Sequence, residues 1–257
     1  MQKTFECSSA NCQAGIARRD ITPPVGIYNR CWGAALYDTA TGVHHPFTAT
    51  ALAMSDFNGG SPLVILTLDL CWFEYEENEE FLSTVTEQTG IGRDQLIVSL
   101  GHSHAGCNLS ANIKDKEGGE MIGPFFEHVI AQSIDAIKEA MGSQEDVWFT
   151  ADYGNCNLAT NRNYNDTEFG EMICGFNPEG SVDNTLALVR ITNSSGEIVA
   201  HIINYGCHPT TLGPENRLLS PDYISAARGI MERDFGGLCM FMISPCGDTG
   251  PREGFVA

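Results

Sequence analysis

The sequence predicts a single α/β domain, built on a mixed β-sheet flanked by helices. Apolar runs typical of buried strands occupy Leu63–Leu68, Leu96–Leu100 and Leu238–Ile243, and helical patterns lie between them. Leu186–Ile191 and Glu197–Asn204 instead alternate about a turn, as an antiparallel hairpin does. No internal repeat or linker-like segment divides the 257 residues, which indicates one domain.

The first half of the chain is expected to begin with a loose leader, residues 1–13, and the domain then covers residues 14–257. A brief strand ends at the double proline Pro23-Pro24, because proline cannot donate to a sheet ladder. Phe47–Met54 and the strand that begins at Leu63 form a hairpin about Asn58-Gly59-Gly60. A helix follows from Tyr75 to Gln88, and Gly90 stops it.

The second half alternates helices and strands. Apolar residues at helical spacing predict an amphipathic helix over 124–141, with Pro124 in its first turn. A strand is expected over 146–152, followed by an amide-rich loop, 155–164, that contains Arg162. Ser220-Pro221-Asp222 is a capping sequence for a helix over 222–235.

Composition excludes some classes of function. The formal net charge is −19, from 33 acidic residues against 14 Lys and Arg, which argues against nucleic acid and anionic membranes as partners. No apolar run reaches the length of a transmembrane helix. The first residues lack the apolar region of a secretory signal, so a cytoplasmic location and reduced cysteines are expected.

The segment around His102 and His104 carries the strongest chemical signal. The strand Leu96–Leu100 is expected to be buried on both faces, and the chain turns after it at Gly101. Residues two apart in an extended segment share one side, so both imidazoles are expected to face one pocket. Such a pair suits a metal, or one metal ligand beside one proton donor. A pair of polar loop histidines is the alternative.

Other polar residues lie at the ends of predicted strands. His208 follows the hairpin and precedes Pro209, which restricts its backbone and suits a preorganised ligand. His102, His208 and a further donor would form a zinc site with one position left for water. Asp69 is either a carboxylate of this site or a turn residue. Arg162 either binds a substrate carboxylate or oxyanion, or lies on the surface.

These motifs, taken in order, resemble one family. They read A-G-I-A-R-R-D-I-T-P-P, V-H-H-P-F, L-D-L, G-H-S-H-A-G, N-R-N, V-D-N-T-L, N-Y-G-C-H-P-T and C-G-D-T-G-P-R. The order resembles the N-terminal catalytic region of the neutral/alkaline (non-lysosomal) ceramidases, from about Ala14 to Arg252. Each motif alone is weak, and the order of all eight carries the resemblance.

The resemblance implies a zinc amidase, since members of this family cleave the amide of N-acylsphingosine. By motif, His102 and His208 correspond to zinc ligands, and His104 corresponds to a catalytic residue beside the substrate. Arg162 corresponds to an arginine of the substrate pocket, which makes it the second candidate catalytic residue. The box at residues 248–250, Asp248, Thr249 and Gly250, is the candidate substrate-binding segment.

The chain departs from the family pattern in two ways. Gly250 stands where the ceramidases carry a serine, and glycine offers no nucleophile, so the resemblance implies attack by metal-bound water. The family's remaining zinc ligands, a Glu and a Tyr, follow this box. The chain ends at Ala257 and is therefore expected to be a truncated, N-terminal portion of the catalytic domain.

Three functions remain open at this point. The first is a zinc-dependent, ceramidase-like amide hydrolase in which metal-bound water attacks the carbonyl of a small N-acyl substrate. The second is another metal-dependent hydrolase, such as an amidohydrolase barrel, although the antiparallel hairpins argue against eight βα repeats. The third is a non-catalytic binding protein that retains the ceramidase-like fold.

Overall fold

The computed structural model describes residues 8–252, apart from the side chains of Ser8 and Ala111. Its strands are β1 (Ser8–Asp20), β2 (Gly42–Val43), β3 (Thr48–Ser55), β4 (Leu63–Leu68), β5 (Leu96–Leu100), β6 (Glu145–Asn155), β7 (Ala159–Asp166), β8 (Glu171–Asn177), β9 (Thr185–Asn193), β10 (Ile198–Tyr205), β11 (Leu218–Leu219), β12 (Leu238–Ile243) and β13 (Thr249–Pro251). Its helices are α1 (Tyr75–Thr89), α2 (Ile122–Gly142) and α3 (Tyr223–Phe235), with short 3-10 turns at Arg93–Gln95, Ala111–Ile113 and Gly119–Met121. Residues 1–7 of the expected leader and the last five residues of the expected domain lie outside this range.

The main sheet has eight strands in the order β12-β10-β9-β6-β1-β3-β4-β5. The pairs β4–β5 and β10–β12 are parallel and the other neighbours are antiparallel. The prediction of a mixed sheet flanked by helices is therefore confirmed. Strand β12 also contacts β4 and β5, so the sheet curls until its two edges approach each other. This mixed order excludes a (β/α)₈ barrel.

The helices cover the outer face of this curled sheet. Helix α2 buries its apolar stripe, including Val129 and Ile137, against β1 and β3, and α1 packs beside it. The backbones of α2 and β1 approach closely at Gly15, where a Cβ atom would collide with the carbonyl oxygen of Ala140. Helix α3 covers β10 and β12 through Ile224. No helix within residues 8–252 combines the length and apolar character needed to span a bilayer.

Several predicted elements agree closely with the structure, and three do not. Residues 8–13 of the expected leader belong to β1, because β6 pairs with them. Strand β5 is not buried on both faces, because it lies at the sheet edge and Ile97 is 44% exposed. The amide-rich segment 155–164 is largely strand β7, not a loop. Strand β7 pairs with β8 and β13 in a small separate sheet, and the outer strand β8 faces solvent. Polar residues are compatible with this sheet because it is partly exposed to water.

A buried ion pair ties the end of β4 to α3. Both carboxylate oxygens of Asp69 accept hydrogen bonds from Arg228, each at 2.6 Å, and one of them also accepts from the backbone N–H and hydroxyl of Thr48. Burial alone would lower the pKa of Arg228, but the Asp69 carboxylate more than offsets this and the pKa is raised. With both oxygens occupied, Asp69 is an anchor of the fold, and its alternative role as a metal ligand is wrong.

We expect Arg228→Leu to lower the free energy of unfolding by about 3–5 kcal/mol, because it leaves the Asp69 carboxylate buried without its partner. Urea denaturation followed by circular dichroism measures this change. Arg233→Leu is the matched control, since Arg233 lies on the same helix but pairs with Asp234 in solvent. Equal stability of the two variants would show that the buried pair is not an anchor.

Candidate metal centre

Three histidines meet at the carboxyl ends of two strands. His102 and His104 follow β5, and His208 follows β10. The ring centroids lie 4.7 to 4.9 Å apart. One ring nitrogen from each histidine lies within 4.8 Å of the others. The structure thus brings together the three histidines that the sequence singled out, while their separate roles stay predictions.

The turn at Gly101-His102 does not keep the extended backbone that the sequence argument assumed. His102 adopts a φ of +57°, in the left-handed region that non-glycine residues rarely occupy. Its backbone N–H donates to Leu70 O at 2.8 Å, and that of His104 donates to Pro209 O at 3.3 Å. The histidines converge because these bonds hold a strained turn, not because the strand alternates. Such strain persists where the surrounding structure enforces it.

All three imidazoles are oriented by the same kind of contact, a backbone carbonyl facing Nδ1. The pairs are His102 with Cys71 O (3.1 Å), His104 with Cys31 O (3.0 Å) and His208 with Cys246 O (3.0 Å). A carbonyl oxygen only accepts hydrogen bonds, so each Nδ1 carries the hydrogen. In the neutral ring Nε2 is then unprotonated and free to act as a ligand. Ligand histidines in proteins are typically held in this way.

The Nε2 atoms of His104 and His208 lie 2.9 Å apart. Burial, and then the neighbouring His208 and His102, lower the pKa of His104 to about 3. Burial is also the main cause that lowers the pKa of His208 to about 4, and burial lowers the pKa of His102. The lowered pKa values favour the neutral form of both rings, whose Nε2 atoms face each other. Converging neutral imidazole nitrogens are a donor set that fits zinc and related transition metals.

A second group of potential ligands adjoins the histidines. Cys31 Sγ, Cys71 Sγ and a nitrogen of His104 also lie within 4.8 Å of one another. Both thiols are buried, and burial raises the pKa of Cys71 far above its usual value. The cysteines in residues 8–252 are all free thiols. The three imidazoles are the better donor set, because they are already in the deprotonated form that a metal needs.

The residues that position the histidines could not be predicted from the side-chain motifs. Cys31 and Cys71 each supply a carbonyl, and each is followed by a tryptophan. The rings of Trp32 and Trp72 lie 5.9 and 6.2 Å from the ring of His104. A repeated Cys-Trp dipeptide, with one copy in the loop before β2 and the other between β4 and α1, is the signal that was available. The two cysteines orient the histidines through their backbone carbonyls, and a motif of side chains does not reveal a role of the backbone.

Arg162 reaches the centre from β7. Its Nε donates to Gly247 O at 3.0 Å, and its backbone N–H donates to Asp248 O at 2.8 Å. The guanidinium is close enough to contribute to the lowered pKa of His102, His104 and His208. Arg162 is half-buried and its charge acts on all three rings, while its contact with substrate stays a prediction.

The three residues of the candidate substrate-binding box differ in their exposure to solvent. Asp248 is exposed beside Arg162. Thr249 is buried, and its hydroxyl contacts Gly206 O at 3.4 Å and Cys246 O at 3.3 Å. Gly250 is buried in β13 and pairs with Thr160 of β7. Thr249 and Gly250 thus fasten the box to the sheet, and contact between substrate and any of the three stays a prediction.

Comparison with solved structures places this fold among ceramidases. A ceramidase complexed with C2 superposes with a TM-score of 0.76 at 19% identity, covering 93% of this chain and 38% of that one. The neutral ceramidase from Pseudomonas aeruginosa superposes with a TM-score of 0.74 at 17% identity, covering 96% of this chain and 40% of that one. The chain therefore spans about two fifths of the length of these ceramidases. A search of curated proteins found no match.

The family itself is shown by the sequence. The model of the N-terminal region of neutral/alkaline non-lysosomal ceramidases matches residues 12–252. The chain belongs to this family, as the order of its motifs predicted. The match covers every histidine of the candidate metal centre and the Asp248–Gly250 box.

In metal-free protein, we expect His104 and His208 to stay neutral, with the hydrogen on Nδ1, down to about pH 4 to 5. The lowered pKa values predict this, since a ring with a depressed pKa gains its proton only at lower pH. Long-range ¹H–¹⁵N NMR of imidazole-labelled protein measures both tautomer and titration. Urea-unfolded protein is the reference, with titration near pH 6.5. Nε2–H tautomers or titration at the unfolded value would contradict the proposed orientation.

Proposed function

We propose that the chain is a zinc-dependent amide hydrolase of the ceramidase type, acting on an N-acyl substrate. The convergence of one ring nitrogen from each of three histidines, with every Nδ1 facing a backbone carbonyl, is the observation that supports this proposal most strongly. His102 and His208 would hold the zinc, in line with their motifs. When bound, the zinc would polarise the substrate carbonyl and lower the pKa of a coordinated water.

His104 would serve as the proton-transfer group at the substrate. Its Nδ1–H is engaged by Cys31 O, so only Nε2 is available to accept a proton. The rings of Trp32 and Trp72 lie beside the ring of His104 and would limit the access of bulk water. The ring would then return this proton to the leaving amine, acting as a general acid.

Arg162 would stabilise the negative charge that develops on the carbonyl oxygen. Its hydrogen bond to Gly247 O and the pairing of β7 with β13 hold the side chain before substrate arrives. A preorganised cation of this kind costs no reorganisation in the transition state. The exposed Asp248 lies beside it and would contact the polar part of the substrate.

The structure of the box also bears on the route of hydrolysis. Gly250 has no side-chain nucleophile, and the Thr249 hydroxyl is buried against two backbone carbonyls. Neither can form an acyl-enzyme intermediate. We therefore propose direct attack by water on the amide carbonyl, without a covalent intermediate on the box.

Zinc should bind at His102 and His208. Metal analysis after dialysis should find about one zinc per chain in the wild type and little in the His102→Ala, His208→Ala double variant. His128→Ala is the control, since His128 is exposed on α2, away from the cluster. Equal zinc in the double variant and the wild type would overturn the assignment.

His104→Ala should lower the turnover of N-acyl amides by about 10²–10⁴-fold, which is typical of acid–base groups, while zinc content stays unchanged. Steady-state hydrolysis and metal analysis of the same preparations decide this. Loss of zinc in His104→Ala would make His104 a third ligand instead. A zinc-loaded wild type that hydrolyses no N-acyl amide would favour the non-catalytic binding protein.

A further inference from the structure

A row of three polar side chains crosses the outer face of the sheet, away from the metal centre. Thr150 of β6 pairs in register with Arg190 of β9, and Arg190 pairs with His201 of β10. Residues directly opposite in neighbouring strands point to the same face. A hydroxyl, a guanidinium and an imidazole therefore lie side by side. His201 lies within β10, and none of the described residues that line the cavity beside it belongs to the histidine cluster.

His201 is the unusual member of this row. It is 2% exposed, and neither ring nitrogen has a hydrogen-bond partner within the described part of the chain. The Gly236 backbone is near enough to favour the protonated ring, but not at hydrogen-bond distance and angle. A buried polar group without a partner is costly, and such groups often mark a site where a ligand supplies the missing bond.

The row forms the polar floor of a cavity of about 440 Å³. Met231 and Phe235 at the end of α3 form one apolar wall, and Leu188 and Ile198 continue it. This volume lies within the range of sites for small molecules. A polar floor beside an apolar wall fits an amphiphile, with its head on the row and its tail along α3.

The charges of the cavity indicate the kind of head group. Arg190 is exposed and makes no ion pair within residues 8–252, so its guanidinium is free to bind an anion. Asp152 also lines the cavity. It pairs with Leu188, which lies two residues before Arg190 on β9, so Asp152 and Arg190 are diagonal neighbours on the same face. Its carboxylate would repel a doubly charged phosphate more strongly than a singly charged carboxylate. Arginine binds carboxylates through two parallel hydrogen bonds.

We propose that this cavity binds an amphiphilic carboxylate, such as a medium- or long-chain fatty acid. The carboxylate would lie on Arg190 and His201, with Thr150 as a further donor, and the alkyl chain would lie against Met231 and Phe235. The site is separate from the metal centre. A test of this binding proposal is therefore independent of a test of the proposed hydrolase activity.

Isothermal titration calorimetry with monomeric dodecanoate, below its micelle concentration and with a chelator present, tests this proposal. The chelator prevents the carboxylate from binding a metal at the histidines. We expect saturable binding of one dodecanoate per chain and at least tenfold weaker binding of butyrate. Arg190→Gln should weaken dodecanoate binding at least tenfold. Arg93→Gln, which removes the same charge from a residue that pairs with Glu79, should leave it unchanged.

His201→Leu is the second variant, since it fills a similar volume without a hydrogen-bonding group. It should also weaken dodecanoate binding while the thermal midpoint stays the same or rises, because the unpartnered nitrogens are gone. Three results would overturn the proposal: absence of saturable binding, wild-type affinity in both Arg190→Gln and His201→Leu, or equal affinity for a neutral amphiphile with the same alkyl chain.

Discussion

The buried pair of Asp69 and Arg228 is the constraint on which the candidate site depends. It joins the end of β4, in one half of the sheet, to α3, which covers the other half. Leu70 and Cys71, directly after Asp69, provide the carbonyls that hold the backbone and ring of His102. A change in this pair would therefore displace a histidine of the metal centre. The same contact that closes the sheet thus positions the site.

The orientation of the histidines shows how backbone carbonyls can arrange a candidate metal-binding cluster without a carboxylate partner. Each ring donates to a cysteine carbonyl, and none donates to a carboxylate. A carbonyl fixes the tautomer as a carboxylate does, but it adds no negative charge to raise the ring pKa. Burial then dominates, and the pKa values fall. The rings therefore stay neutral, which is the form that binds a cation, over a wide range of pH.

Much of the fold could be predicted from the sequence, because strands such as Leu63–Leu68 and the hairpin around Gly196 have strong local patterns. The convergence of His102 and His208 also followed from their positions after strands. Strand β7 and the edge position of β5 could not be predicted, since both depend on which strands pair across the sheet. The roles of the Cys31 and Cys71 carbonyls and of Arg228 depend on three-dimensional contacts that leave no local pattern.

The central claim is that His102 and His208 hold a metal through Nε2, with His104 beside it. X-ray absorption at the zinc edge of the zinc-loaded protein tests it most directly. Two imidazole nitrogens at about 2.0–2.1 Å, without sulfur, are the predicted result. Sulfur scatterers at about 2.3 Å would place the metal on the Cys31 and Cys71 thiols and would contradict the account.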